Sequence, residues 1–378
     1  MLDEAWTQLV DESGGTWPPS PSRQFPSPLD KLHELALEAP NVFSRPDYAS
    51  MKHDDIKANR AWLVERLQPT DEVLTALRSL NQHQILGMAA CMSTLAHMYR
   101  WGSVPTLTAA QEEKRNHLPN MILAAQMYLN GRLGIRSTGG TITTLSLCNY
   151  DRERDVIYYS MTKNFTPDII AAELWNAKLF HEMERIAEPF YRSVVQLADD
   201  VIGRGKDSTA LEEGNEAIRQ AFAYFYKYLK EPTVSKAVWS RYAQGFHGWS
   251  WDGFEGVSGD QAVMVRVMDA LLGIPPTSPP THLTKGQRDF VDTLRTANIR
   301  QRAVAEGFPL ATKSINDTLR MLKTWRMGHV KKACFYEDIH LPERKPMSGG
   351  KGTDADLGLE GMVARIQMRL QTRTALTR

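Results

Sequence analysis

The chain has 378 residues, 42% of them apolar and 24% charged, an ordinary make-up for a globular protein with room for a large core and two domains. Its 45 basic and 44 acidic side chains leave a net charge of +1, so no cationic surplus exists to neutralise a phosphate backbone, and nucleic acid is not an expected partner. The chain opens Met1-Leu2-Asp3-Glu4 without a basic start or apolar run, its apolar stretches are short, and its three cysteines (Cys91, Cys148, Cys334) lie far apart. A cytoplasmic protein with no membrane span, no disulfide framework and no zinc ribbon is therefore expected.

Residues 11–30 are rich in Ser, Gly and Pro (Pro18, Pro19, Pro21, Pro26, Pro28) and read as an arm that is either ordered by contact or disordered. From about residue 55 to 135, apolar residues recur at three- and four-residue spacing, notably over Ile85–Tyr99 and Leu118–Leu133, which predicts helices. The period then shortens. Thr141–Cys148, a polar tip at Asp151–Asp155 and Val156–Tyr159 predict one short β-hairpin. Thr166-Pro167-Asp168 predicts a helix start, with a Thr cap, Pro at the first helical position and an acid in the first turn; the helix is expected to run to about Asp199. Beyond it come a polar break at Arg204–Gly214, a helix over Glu216–Leu229 and a proline-rich break at Pro275–Pro280. Ser314 with Asp317 predicts a capping box opening a helix to about Tyr336. The expected architecture is mainly α, with an N-terminal arm (1–30), a small N-terminal domain (31–160) carrying the hairpin, and a larger helical domain (161–378).

No phosphate loop, dinucleotide fingerprint, zinc-protease helix or serine-hydrolase elbow is present. Ser348–Thr353 lacks the spacing and the preceding strand of a phosphate loop, and His181-Glu182 lacks a second histidine. Chemistry is thus expected from a cofactor or from less stereotyped residues. On the last predicted helix, Leu319, Leu322, Trp325, His329, Ala333 and Tyr336 form one stripe, with Arg320, Lys323, Lys331 and Lys332 off it. His329 therefore points where the apolar residues point. A haem ligand needs that placement, but spacing alone favours a hydrogen-bonded core histidine.

Several separated segments resemble the tryptophan 2,3-dioxygenase and indoleamine 2,3-dioxygenase superfamily. Trp325-Arg326-Met327-Gly328-His329-Val330 resembles its WRxxHV element, whose His is the proximal haem ligand. Ser258-Gly259-Asp260-Gln261, Arg266 and Leu271-Leu272-Gly273 resemble its SGxQ…R…LLG helix, and Glu173-Leu174-Trp175 with Lys178 and Glu182 resembles ELWxKxxxxE. Gly352-Thr353 with Gly358 resembles the ends of its GTGGSSG loop. Leu118-Pro119 through Leu133-Gly134 to Asn149 is similar to the indoleamine branch, which carries an extra N-terminal domain. The resemblance covers roughly residues 115–370.

What it implies is an all-helical fold around one haem b, with His329 as the iron ligand and Ser258 and Gly259 at the haem edge. The implied substrates are O2 and tryptophan or a substituted indole, cleaved at C2–C3 with both oxygen atoms entering the product. Phe165 takes the position of the aromatic that packs on the indole. Ile169 takes the distal position, where the family has His or Ser; an isoleucine has only a steric role there. Arg241 takes the place of the carboxylate-binding Arg, and Thr353 that of a contact to the substrate ammonium or carboxylate. The glycine pair after that Thr is Asp354-Ala355 here, a second departure. Arg266 is expected in a structural ion pair, Phe246–Phe254 (with His247, Trp249 and Trp251) as loop packing, and Cys334 is not expected to attach the haem. Two alternatives stand beside the dioxygenase: a monooxygenase or peroxide-using enzyme of the same haem type, and a haem-binding protein without turnover. Self-association into a homo-oligomer is left open.

Overall fold

A computed structural model describes residues 1–43, 53–101, 117–239, 259–276 and 279–336, with isolated positions 368 and 372. The expected mainly α fold is observed. In chain order the helices are α1 (Leu2–Glu12), α2 (Leu29–Phe43), α3 (His53–Glu65), α4 (Thr70–Arg78), α5 (Gln82–Trp101), α6 (Asn120–Leu133), α7 (Pro167–Ile186), α8 (Glu188–Ala198), α9 (Leu211–Tyr228), α10 (Lys236–Val238), α11 (Val263–Leu271), α12 (Lys285–Ala297), α13 (Ile299–Ala305) and α14 (Pro309–Tyr336). Among the described residues the only sheet is an antiparallel pair, β1 (Tyr150–Asp151) and β2 (Val156–Ile157), with Tyr150 opposite Ile157. No helix among them is long and apolar enough to cross a membrane.

The hairpin is shorter than expected because its first half is not a strand. Thr143–Leu147 form a π-helical turn. Thr141 N–H donates to Thr144 Oγ1 (3.1 Å) and Thr144 N–H to Thr141 Oγ1 (3.2 Å), a reciprocal local closure that competes with extended backbone. The segment is also buried on every side, so alternation of side-chain type carries no information about faces.

The helix opening at Thr166 stops at Ile186 rather than near Asp199. Pro189 lies in the first turn of α8, where its missing N–H and fixed φ are tolerated, and it cannot continue α7. Helix α14 begins five residues before the predicted capping box. Ser314 is buried inside the helix, its hydroxyl donating to Ala311 O (3.0 Å). The start is capped from afar: Leu310 and Ala311 N–H donate to the Asp207 carboxylate at 3.0 and 2.9 Å.

Residues 2–12, expected as part of the arm, form α1, which docks on α12. Trp6 packs against Tyr191 and Phe290 (ring centroids 5.5 and 5.6 Å), and Glu12 accepts the Gly286 N–H at 2.6 Å. The following stretch is ordered by contact. Ser22 N–H donates to His83 O (2.8 Å), and Arg23 donates to Cys148 O with its guanidinium 4.4 Å from the Tyr158 ring centre. A Cβ at Gly87 would lie 1.9 Å from Ser22 O, so a residue without one lets the arm cross α5 there.

The apolar core falls into two clusters. One joins α2–α6 with Cys148, Tyr159, Phe165, Ile169 and Val238. The other joins α1, α8, α9 and α11–α14. Helix α7 contributes to both, through Ile169 and Ala172 at its start and Leu179 and Met183 further on.

Candidate functional site

His329 sits on α14 with its side chain half-buried. The expected stripe is real: Leu322, Trp325 and Tyr336 are buried on the same helix. Helix α9 lies along it. Phe222 stacks on Trp325 (5.0 Å, 11°), and Phe225 meets both Trp325 and His329 at 5.7 Å. The imidazole stacks on Trp325 at 5.1 Å and 24°. Tyr226 donates its hydroxyl hydrogen to Trp325 O (2.8 Å). Further along, Lys332 donates to Leu229 O, and Tyr336 donates to Val234 O (2.9 Å). The turn bearing His329 is thus fixed by ring contacts and by main-chain acceptors on either side.

Arg326, one of the largest fully buried side chains, pairs with Asp269 on α11. This buried pair locks the WRMGHV turn to the helix that follows Ser258-Gly259-Asp260-Gln261. Arg266 is also buried on α11. Helix α11 is tied in turn to α7, since Met264 N–H donates to Glu184 (3.0 Å). The Tyr191 hydroxyl donates to the other Glu184 oxygen. Gln261 accepts the Ile142 N–H at 3.1 Å, which joins the same segment to the π-helical turn. The three helices carrying the resembling motifs are therefore linked in series, α14 to α11 and α11 to α7.

The ELWxKxxxxE positions prove to be anchors. Glu173 is fully buried and accepts from Ser160 Oγ (2.6 Å), Met161 N–H (2.7 Å), Thr162 N–H (3.2 Å) and Thr162 Oγ1 (2.5 Å). Burial raises its pKa and these donors pull it back, with a net rise. Trp175 stacks on Tyr228 (4.6 Å, 18°), and Lys178 binds Asp155 at the hairpin tip (2.7 Å). Glu182 is opposed by burial, but His181 and Arg185 prevail and bring its carboxyl down to about 2.

Phe165 and Ile169 are both buried, at 7% and 5% exposure, in the cluster shared with Cys148, Tyr159 and Val238. Phe165 N–H donates to Thr162 O (2.9 Å), so the Glu173 clamp on residues 160–162 also sets where Phe165 lies. Residues 234–239 bridge this cluster to α14. Val238 packs within it, while the adjacent Trp239 ring meets Tyr336 at 5.8 Å. Tyr336 is seven residues, two turns, beyond His329. Gly259 is exposed in a short 3-10 turn, Gly259–Gln261. Arg241, Ser258, Thr353, Asp354, Ala355, Gly358 and the Phe246–Phe254 aromatics lie outside the described residues, as does the Cys334 side chain. Cys91 and Cys148 are buried, and burial pushes each thiol up to about 12, so neither supplies a thiolate near neutral pH.

Sequence reasoning missed Tyr226, Glu184 and Asp269. Tyr226 had a weak signal in the run Phe222-Ala223-Tyr224-Phe225-Tyr226; the other two had none, because their partners are distant in the chain. Glu184 carries a pH prediction. Burial pushes it from an ordinary 4.5 up to about 7. Between those values the unfolded chain has already lost the proton that the folded chain keeps, so stability falls as pH rises through this window. At about 1.4 kcal/mol per pKa unit this amounts to ~3 kcal/mol at most. Urea unfolding of wild type and Glu184→Gln from pH 4.5 to 8 is expected to show the wild-type advantage shrinking by about that amount; a constant difference would contradict it.

A scan against protein-family models finds no match to the chain, and a search of curated proteins finds none.

Proposed function

We propose that the chain is a haem-dependent oxygenase of indole-type aromatic substrates, with haem b held through His329. The observation carrying this reading is the setting of that imidazole: half-buried, stacked on the Trp325 ring with Phe225 beside it, on a turn locked through Arg326 to Asp269 of α11. The donor chemistry fits. His329 would hold the iron through a neutral imidazole nitrogen, and the Phe225 and Trp325 rings supply apolar surface beside it. When bound, haem in its ferrous form supplies O2 binding and activation.

The chain's own residues would bind and orient. Phe165 offers an aromatic face and, with Ile169, a dry apolar wall that excludes water. Ile169 neither takes nor gives a proton, so it acts by shape alone. Arg241 would pair with a substrate carboxylate and Thr353 would contact its ammonium or carboxylate; Ser258 and Gly259 would border the haem edge. The second reading, insertion of one oxygen atom, is favoured by Ile169 specifically, because the distal position has no polar group to guide the indole N–H.

Turnover of tryptophan and substituted indoles under 18O2 with a reductant tests this. Two labelled atoms in the product are expected. One labelled atom, or turnover with peroxide alone, would replace the dioxygenase with a monooxygenase or peroxygenase, and no transformation of any indole would leave a haem-binding protein without turnover.

A further inference from the structure

Gly328 precedes His329, and a Cβ there would lie 2.0 Å from the Tyr226 hydroxyl oxygen and 2.8 Å from Cζ. A glycine is thus required for the phenol to rest against this turn of α14. The Tyr226 hydroxyl donates to Trp325 O at 2.8 Å. In an α-helix that carbonyl also accepts the N–H four residues on, which belongs to His329. Phe225, beside Tyr226 in the chain, touches the imidazole itself at 5.7 Å.

We infer that Tyr226 and Gly328 are a matched pair of positioning residues that set the orientation of the His329 imidazole towards its iron. The phenol shares the acceptor that closes the His329 turn and so fixes the tilt of that peptide. The ring contacts of Phe225 and Trp325 then fix the imidazole plane. Glycine at 328 is what admits the phenol. This inference rests on the reading of His329 as the iron ligand. The rest of α14 does not depend on the pair, because Arg326, Lys332 and Tyr336 anchor the helix to Asp269, Leu229 and Val234. Variants at the pair are therefore expected to fold.

Tyr226→Phe, Gly328→Ala and the double variant are each loaded with haem b beside wild type and His329→Ala. Three readouts are taken: the rate of haem loss to an apoprotein acceptor, the midpoint potential, and the iron–imidazole stretching band. Each single variant is expected to lose haem about 5-fold faster, the worth of one neutral hydrogen bond of about 1 kcal/mol. Each is also expected to shift the band and the potential in the same direction. The double variant should match the stronger single one, since both changes remove the same contact. A band and potential equal to wild type in both single variants, with His329→Ala still losing haem, overturns the positioning role and leaves the ligand reading standing. Fully additive effects overturn the pairing. Haem retained by His329→Ala overturns the ligand reading, and this inference with it.

Discussion

His329→Ala is expected to lose haem altogether, with no Soret band after loading with haem b and desalting, while far-ultraviolet circular dichroism stays that of a helical protein. Replacing a group that only orients a metal ligand costs about 10–100-fold in affinity, so removing the ligand itself should cost more. The fold should survive because His329 is half-buried and packs on Trp325 and Phe225. Losing an aromatic contact of that kind costs about 1 kcal/mol, small beside the ~5–15 kcal/mol stability of a native domain. Phe222 still stacks on Trp325, and Arg326 still binds Asp269. A variant with a wild-type Soret band would mean that the iron is held elsewhere.

Glu173→Ala is expected to have the largest effect on stability of any single change near the candidate site. The carboxylate satisfies Ser160, Met161 and both polar groups of Thr162 inside a dry cluster. Alanine would remove the acceptor these donors share, leaving Thr162 N–H only its bond to Ser160 Oγ (3.2 Å). Each unsatisfied donor costs about 1–3 kcal/mol, and local relaxation recovers part of the sum. A net loss of ~3–5 kcal/mol in urea unfolding is expected, comparable to breaking a buried charged contact. Glu173→Gln should cost less, because its amide oxygen keeps some donors while its NH2 faces others. The loss also reaches the proposed substrate wall, since the clamped residues 160–162 lead directly to Phe165. At denaturant-free concentrations where the variant is folded, its indole-induced spectral shift is expected to weaken while haem stays bound. An unchanged unfolding midpoint would contradict the clamp.

Much of the helical fold is legible in local pattern. The three- and four-residue steps through Leu319, Leu322, Trp325, His329, Ala333 and Tyr336 announce a buried stripe, and Leu322, Trp325 and Tyr336 are buried. The Thr166-Pro167-Asp168 start is equally local and correctly places α7. What is not legible depends on partners far along the chain. Asp207 caps α14 across 103 residues, and the true start of the helix at Pro309 cannot be read without it. The burial of Arg326 depends on Asp269, 57 residues away, which no local pattern places against it. Thr141–Leu147 alternates like a strand, yet mutual hydroxyl bonds curl it into a π-helical turn.

The candidate site divides the same way. His329 is visible from its stripe, but its packing against Phe225 of α9, and the hold of Tyr226 and Asp269 on the turn that carries it, are identified by no spacing on α14. The Glu173, Trp175, Lys178 and Glu182 pattern resembles a functional motif in the sequence, and each member is an anchor in the fold. Phe165 and Ile169 are buried together in the cluster that holds Tyr159 and Val238.

The visible spectrum of the purified protein, loaded with haem b and reduced with dithionite, tests the central claim most directly. The account predicts a sharp Soret band that shifts on reduction, shifts again on adding tryptophan or a substituted indole, and is absent from His329→Ala. Haem that washes off wild type on desalting, or a spectrum indifferent to the His329 substitution, would contradict it.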